Sequence, residues 1–286
     1  MDAFWIILTG SLVAACCALL GCFLVLRKMT MVGDAISHAV LPGIVIAYLL
    51  TQSRASFFML IGAAIFGVLI TLLIETLHKQ GKMQLDAAIG LSFTWLFAIG
   101  VILISWFAGQ VDLDQDCVLY GEIAYVPLDL GWQSIPRQVW ILSILFIVLL
   151  FFIKIGYRGL FITTFDEMFA ASLGISTVFW HYSLMGAVSL VTVMSFESVG
   201  AILVVAFLVG PPSVAYLLTE SLPKMLALSV LIGIIAAIGG YFLAYLLNGS
   251  IAGGMASIIG FEFLIAFWLK KYIFAPRKIN VEIFPQ

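Results

Sequence analysis

Asp34 and His38 stand four residues apart in the stretch Gly33-Asp34-Ala35-Ile36-Ser37-His38-Ala39-Val40-Leu41-Pro42-Gly43, at the head of an apolar run. On an α-helix, positions i and i+4 lie one above the other on one face. A carboxylate oxygen and an imidazole nitrogen so placed can share one divalent cation. Oxygen and nitrogen donors without a thiolate suit Mn2+, Fe2+ or Zn2+. The competing role is a polar pair that pins two helices together. Two more carboxylates are candidates. Glu197 lies at the boundary of two apolar segments, either as an interfacial acid or as a metal ligand if the fold brings it to the depth of the pair. Glu262 lies well inside the last apolar segment, as a secondary ligand, a proton carrier or an interhelical hydrogen-bond donor. His78 and His181 fall near segment ends and read as interfacial. No phosphate-binding loop, nucleophile elbow or His-Glu-x-x-His occurs. The chain therefore shows no means of using ATP, and any pumping energy must come from a partner or a gradient.

The elements that hold these residues must be membrane helices. The chain has 286 residues, 64% of them hydrophobic and 10% charged, with a mean hydropathy of +1.20. Soluble domains carry about 25% charge and roughly 45–50% apolar residues. Apolar runs lie near 4–26, 34–50, 56–77, 87–107, 139–156, 177–196, 198–218, 224–247 and 251–270. Each is about the ~20 residues of a bilayer crossing and too continuous for a β-barrel. The expected fold is an all-α polytopic membrane protein, one transmembrane domain over residues 1–286, with eight or nine crossings. The ambiguity comes from 177–196 and 198–218, which only Glu197 separates. The longest polar interval, Gly109 to Gln138, is too short for a soluble domain, and its acids Asp112, Asp114, Asp116, Glu122 and Asp129 read as a solvated loop. Cys16, Cys17 and Cys22 fall inside the first run, and Cys117 in the polar interval, with no Cys-x-x-Cys. The first run lacks a basic leader and is expected to be a retained span. The net charge of −2 gives no sign of a nucleic-acid partner.

With nine spans and the N-terminus outside, the inner loops and span ends hold Arg27, Lys28, Lys79, Lys82, Lys154, Arg158, Lys224, Lys270, Lys271, Arg277 and Lys278, against Arg54 and Arg137 outside. That bias fixes the orientation. Between spans five and six, Thr164 and Glu167 fit a capping box and Gly174 fits a stop, so a short amphipathic helix is expected over about 164–174 on the cytosolic side. It either docks on a partner or lies on the membrane surface. Pro42-Gly43 and Gly210-Pro211-Pro212 are expected to break their helices, since proline removes a backbone hydrogen bond. By span counting, Asp34 falls near the inner end of its helix and Glu197 near the outer end of its own, so the two share an ion only if such breaks carry both to mid-depth.

Several stretches resemble the membrane permease subunits of bacterial manganese, zinc and iron ABC importers. They are Leu24-Val25-Leu26-Arg27-Lys28-Met29 running into Gly33–Gly43, Leu85-Asp86-Ala87-Ala88-Ile89-Gly90, Phe165-Asp166-Glu167 with Leu173-Gly174-Ile175, and Val199–Ala206. The resemblance spans nearly the whole chain. It implies the ABC importer permease fold and a homodimer in the bacterial cytoplasmic membrane with its pathway at the dimer axis. Two cytosolic ATPase subunits would drive it, and an extracytoplasmic metal-binding protein would supply it. The chain itself would be no enzyme, would hold no permanent cofactor, and would pass Mn2+, Zn2+ or Fe2+, with manganese favoured. Asp34 and His38 match positions that contact metal. Asp166, Glu167, Phe169, Leu173 and Gly174 match the coupling helix. The resemblance neither assigns nor excludes Glu197, and no acid is expected at Glu262. A proton-coupled carrier using Asp34 and Glu262, or an intramembrane metalloenzyme on Asp34 and His38, are the other classes that the residues alone allow.

Overall fold

A computed structural model of the chain describes residues 2–51, 56–107, 123–128 and 135–273. Ten α-helices and no strand occur among them: α1 (Asp2–Leu26), α2 (Met31–Thr51), α3 (Ser56–Lys79), α4 (Leu85–Phe107), α5 (Arg137–Phe165), α6 (Glu167–Ser172), α7 (Thr177–Val199), α8 (Ala201–Leu218), α9 (Leu222–Leu247) and α10 (Ile251–Ile273). A 3-10 turn, Ile123–Leu128, lies between α4 and α5. Nine of these helices, all but α6, are long and apolar enough to cross a bilayer. The acids of the outer polar interval, Cys117, Arg54, Arg277 and Lys278 lie outside the described residues.

A single residue links α7 to α8. Gly200 has φ 78° and ψ 164°, a backbone that side-chain-bearing residues rarely adopt. The boundary is therefore Gly200, three residues beyond Glu197, and each flanking helix is by itself long and apolar enough to cross a bilayer. The expected proline breaks do not form. Pro42 lies inside α2, and Pro211 and Pro212 lie inside α8, each helix running through. Proline still leaves the carbonyl four residues back without its helical donor. Packing absorbs the defect: the Leu208 carbonyl oxygen, freed by Pro212, lies against Gly21 of α1 so closely that a Cβ there would overlap it. Gly100 of α4 packs directly against the Pro42 ring.

α1 is the axis of the bundle. Its residues Val13 to Leu24 are all buried, packed by α5, α7, α8 and α9. α2, α3 and α4 form a second group, and α2 and α3 approach to backbone contact where Gly43 meets Gly62. Small residues permit this approach in a bilayer, where packing rather than the hydrophobic effect holds helices together. Large apolar side chains such as Ile65, Ile147, Ile155, Phe242 and Trp268 stand exposed on the outside, as lipid contact requires. Lys28, Lys79, Lys82, Lys224, Lys270 and Lys271 gather at the end formed by the α1–α2 and α3–α4 turns and the start of α9, which is the cytosolic end by the positive-inside rule.

Candidate functional site

The turn that leads into α2 is tightly closed. Lys28 adopts φ 57°, the Met29 N–H donates to the Leu24 carbonyl at 2.9 Å, and the Lys28 N–H donates to that of Val25 at 3.1 Å. This is a Schellman closure of α1 with lysine at the left-handed position. α2 starts at once, so Asp34 lies in its first turn and His38 one turn on. Val32, Gly33, Ala35, Ile36, Ala39 and Val40 on the remaining faces are buried. The helix is thus held on three sides while Asp34 and His38 stay open, with side chains 36% and 31% exposed. His38 Nε2 lies 3.6 Å from Asp34 Oδ1, too far for a hydrogen bond. The imidazole is flanked by Phe93 and Phe97 of α4, each ring centroid 5.6 Å away. These rings hold the imidazole in place.

The structure does not bring the other two carboxylates to this pair. Among the described residues, no three His, Cys, Asp or Glu side chains gather as a metal cluster. Glu197 is exposed in the last turn of α7. At 1.5 Å per residue it lies about 30 Å from the cytosolic end of its helix, whereas His38 lies about 10 Å from the same end of α2. The unbroken helices leave both at those depths. Glu262 is half-buried in α10, on the stripe shared with buried Met255, Ile259 and Ala266, and its Oε2 is buried with no hydrogen-bond partner among the described residues. That oxygen therefore makes no interhelical hydrogen bond among the described residues.

The short cytosolic helix is present but shifted. α6 covers Glu167–Ser172, and its cap is Asp166, whose Oδ1 accepts from the Phe169 N–H at 2.8 Å. Thr164 is not the cap. It stays in α5, with its hydroxyl donating to the Leu160 carbonyl at 2.6 Å. Gly174, with φ 75°, ends the unit as expected. Asp166, Glu167, Phe169 and Leu173 are all exposed, and Ala170 is buried against the bundle. Met168 is 85% exposed and Phe165 is 58% exposed. Neither was singled out in the sequence, because only the bend at Asp166 turns both outward. An apolar patch framed by two acids thus projects from the cytosolic end.

Behind α6 lies a cavity of about 410 Å3, lined among others by Arg27, Glu75, Lys79, Thr163, Thr164, Glu167 and His181. Glu75 pairs with Lys79 one turn on. His78 Nδ1 contacts the Met83 carbonyl at 2.8 Å, so this histidine closes the α3–α4 turn. Arg27 is half-buried; burial pushes its pKa below the ordinary arginine value, and the Glu167 carboxylate pushes it back up.

Nine candidate crossings among the described residues make this a multi-pass membrane protein. The chain belongs to the ABC 3 transport family, which matches residues 3–270. It is 48% identical over 271 residues to the manganese transport system membrane protein MntD of Bacillus subtilis, covering 92% of this chain and 90% of that one. It is 43% identical over 276 residues to the zinc transport system membrane protein TroD of Treponema pallidum, covering 95% and 74%. The solved structure of PsaBC from Streptococcus pneumoniae in complex with a Fab superposes with a TM-score of 0.79 at 33% identity, covering 94% of this chain and 93% of that one.

Proposed function

We propose that this chain is the membrane-spanning subunit of an ATP-driven importer of a divalent transition metal, with manganese favoured over zinc and iron. The Asp34–His38 pair carries the reading. Two metal bonds of about 2.1 Å to donor atoms 3.6 Å apart enclose an angle of roughly 118°, within reach of common geometries. Two ligands hold an ion weakly, which an importer needs in order to release it. The open side of the pair is to be closed by water and by a second permease chain. Glu197 and Glu262 are not ligands of this ion in the reading. The apolar patch of Phe165, Met168, Phe169 and Leu173, with Asp166 and Glu167 at its edge, is to dock on a cytosolic ATPase subunit, and an extracytoplasmic binding protein is to deliver the ion. The names of the relatives support the cargo, manganese more often than zinc.

The test is uptake of radiolabelled Mn2+ into vesicles holding the assembled transporter. Uptake is expected to stop when the ATPase subunit is inactivated, and unlabelled Mn2+ is expected to compete better than Zn2+ or Fe2+. Uptake that persists without ATP hydrolysis and collapses with the proton gradient would overturn the reading in favour of a proton-coupled carrier. Charge reversal of both Asp166 and Glu167 should weaken ATPase association at least about tenfold; an unchanged complex would remove α6 from the docking surface. Copurification of two differently tagged copies reports whether the second permease chain is this chain again.

A further inference from the structure

We propose that Arg27 is a positioning residue for transport: a strut that ties the docking hairpin α5–α6–α7 to the helix carrying Asp34 and His38. The inference rests on the docking and metal roles just proposed. The guanidinium bridges elements far apart in sequence. Its Nε donates to Thr164 Oγ1 at 3.1 Å and one Nη donates to Thr163 Oγ1 at 3.0 Å, both on the last turn of α5. The other Nη faces His181 Nδ1 of α7 at 3.5 Å.

The proton inventory closes around it. The Thr163 hydroxyl donates to the Gly159 carbonyl at 2.8 Å and the Thr164 hydroxyl to that of Leu160 at 2.6 Å. Each hydroxyl has spent its proton on its own helix, so its lone pairs are free for Arg27. A guanidinium only donates, so His181 Nδ1 accepts, and its proton sits on Nε2. That Nε2 lies 3.5 Å from Glu75 Oε2 on α3. Arg27 therefore touches α5 and α7 directly and α3 through His181.

Both routes out of this node lead to Asp34. Along the chain, Arg27 closes α1 and the Schellman turn passes straight into α2, seven residues before Asp34. Across the bundle, α3 is locked to α2 where Gly43 meets Gly62. On the input side, the hairpin moves as one piece. Trp180 of α7 fills the notch at Gly156 and Gly159 of α5, where any Cβ would strike the indole. The α6 helix hangs from this clamp, and its Glu167 lines the cavity that also holds Arg27. Displacement of α6 is thus passed to the α1–α2 turn through one planar fork. Only arginine supplies this, since a lysine ammonium cannot reach two hydroxyls and an imidazole at fixed angles.

The test uses the reconstituted complex of permease, ATPase and binding protein and reads ions imported per ATP hydrolysed. Arg27→Lys keeps the charge and loses the fork. The double variant Thr163→Val with Thr164→Val keeps Arg27 and loses its acceptors, while the Ser/Ser version restores them. Arg27→Lys and the valine pair are expected to assemble, to hydrolyse ATP within about twofold of the wild type, and to import about tenfold fewer ions per ATP. The serine pair is expected to import at the wild-type ratio. A ratio unchanged in Arg27→Lys and in the valine pair overturns the strut. A parallel loss of hydrolysis and import overturns it as well, because the residue would then serve ATPase docking. Failure of the underlying reading shows separately, as wild-type uptake that needs no ATP.

Discussion

Replacing His38 with alanine should lower metal uptake at least about a hundredfold while folded protein accumulates normally. The size follows from the number of ligands. Removing an outer partner of a metal ligand already costs 10- to 100-fold in affinity or activity, roughly. Here one of two protein donors disappears, and Asp34 alone is left to hold the ion. The fold should tolerate the change. The His38 side chain is 31% exposed, its nearest carboxylate is 3.6 Å away, and its other neighbours are the faces and edges of Phe93 and Phe97. Loss of these contacts amounts to about 1 kcal/mol, within the range of ordinary substitutions. Asp34→Asn is the matching probe, since it keeps size and removes the charge. The measurement is initial-rate uptake normalised to monodisperse protein recovered from membranes. Wild-type rates in both variants would end the assignment of this pair to the pathway.

Gly21→Val is expected to abolish accumulation of the folded protein, with no connection to metal. The Leu208 carbonyl occupies the space of the missing Cβ, and the Pro212 ring stands 2.8 Å from that position. The obstacle is backbone on a buried helix, so no rotamer change relieves it. α1 and α8 must separate along a face that is buried on both sides. Overpacking of a close-packed core costs about 1–3 kcal/mol where side chains can adjust, and more where they cannot. That is a large share of the ~5–15 kcal/mol that holds a typical domain together. Gly260→Val is the control, because nothing lies within 4 Å of its Cβ position. Size-exclusion profiles of detergent extracts separate the two. An ordinary profile for Gly21→Val would mean that α1 and α8 do not approach as described.

The helices were legible because lipid imposes one rule on all of them: a continuous apolar run of fixed length. The predicted run 34–50 became Met31–Thr51, and 87–107 became Leu85–Phe107. The run 139–156 was read short. α5 continues to Phe165 because Lys154 and Arg158 lie at its cytosolic end, where charge stops a hydropathy window but not a helix. The prolines misled for a related reason. A local rule forbids them in a helix interior, but the carbonyl freed by Pro212 finds cover on α1, which no local pattern encodes. The Asp34–His38 pair was legible from its i, i+4 spacing alone. Arg27 was not, and it read as one more inner basic residue. Its partners Thr163, Thr164 and His181 lie 136 to 154 residues away. The exposure of Met168 was hidden likewise, since it depends on the bend at Asp166 and not on composition.

The one-residue link at Gly200 also bears on how the protein is made. Its two arms differ in character. α7 buries the hydroxyls of Ser189, Thr192, Ser195 and Ser198, whereas α8 is apolar almost throughout apart from Ser213. A nascent α7 alone would offer those hydroxyls to lipid. No linker exists in which it could wait, because Ala201 already begins the next helix. The two are therefore expected to leave the translocation channel together, the more apolar arm favouring entry of the other into the bilayer. A chain truncated after Val199 should then fail to integrate α7, and one extended to Leu218 should integrate both, as protease protection of the nascent chain would show.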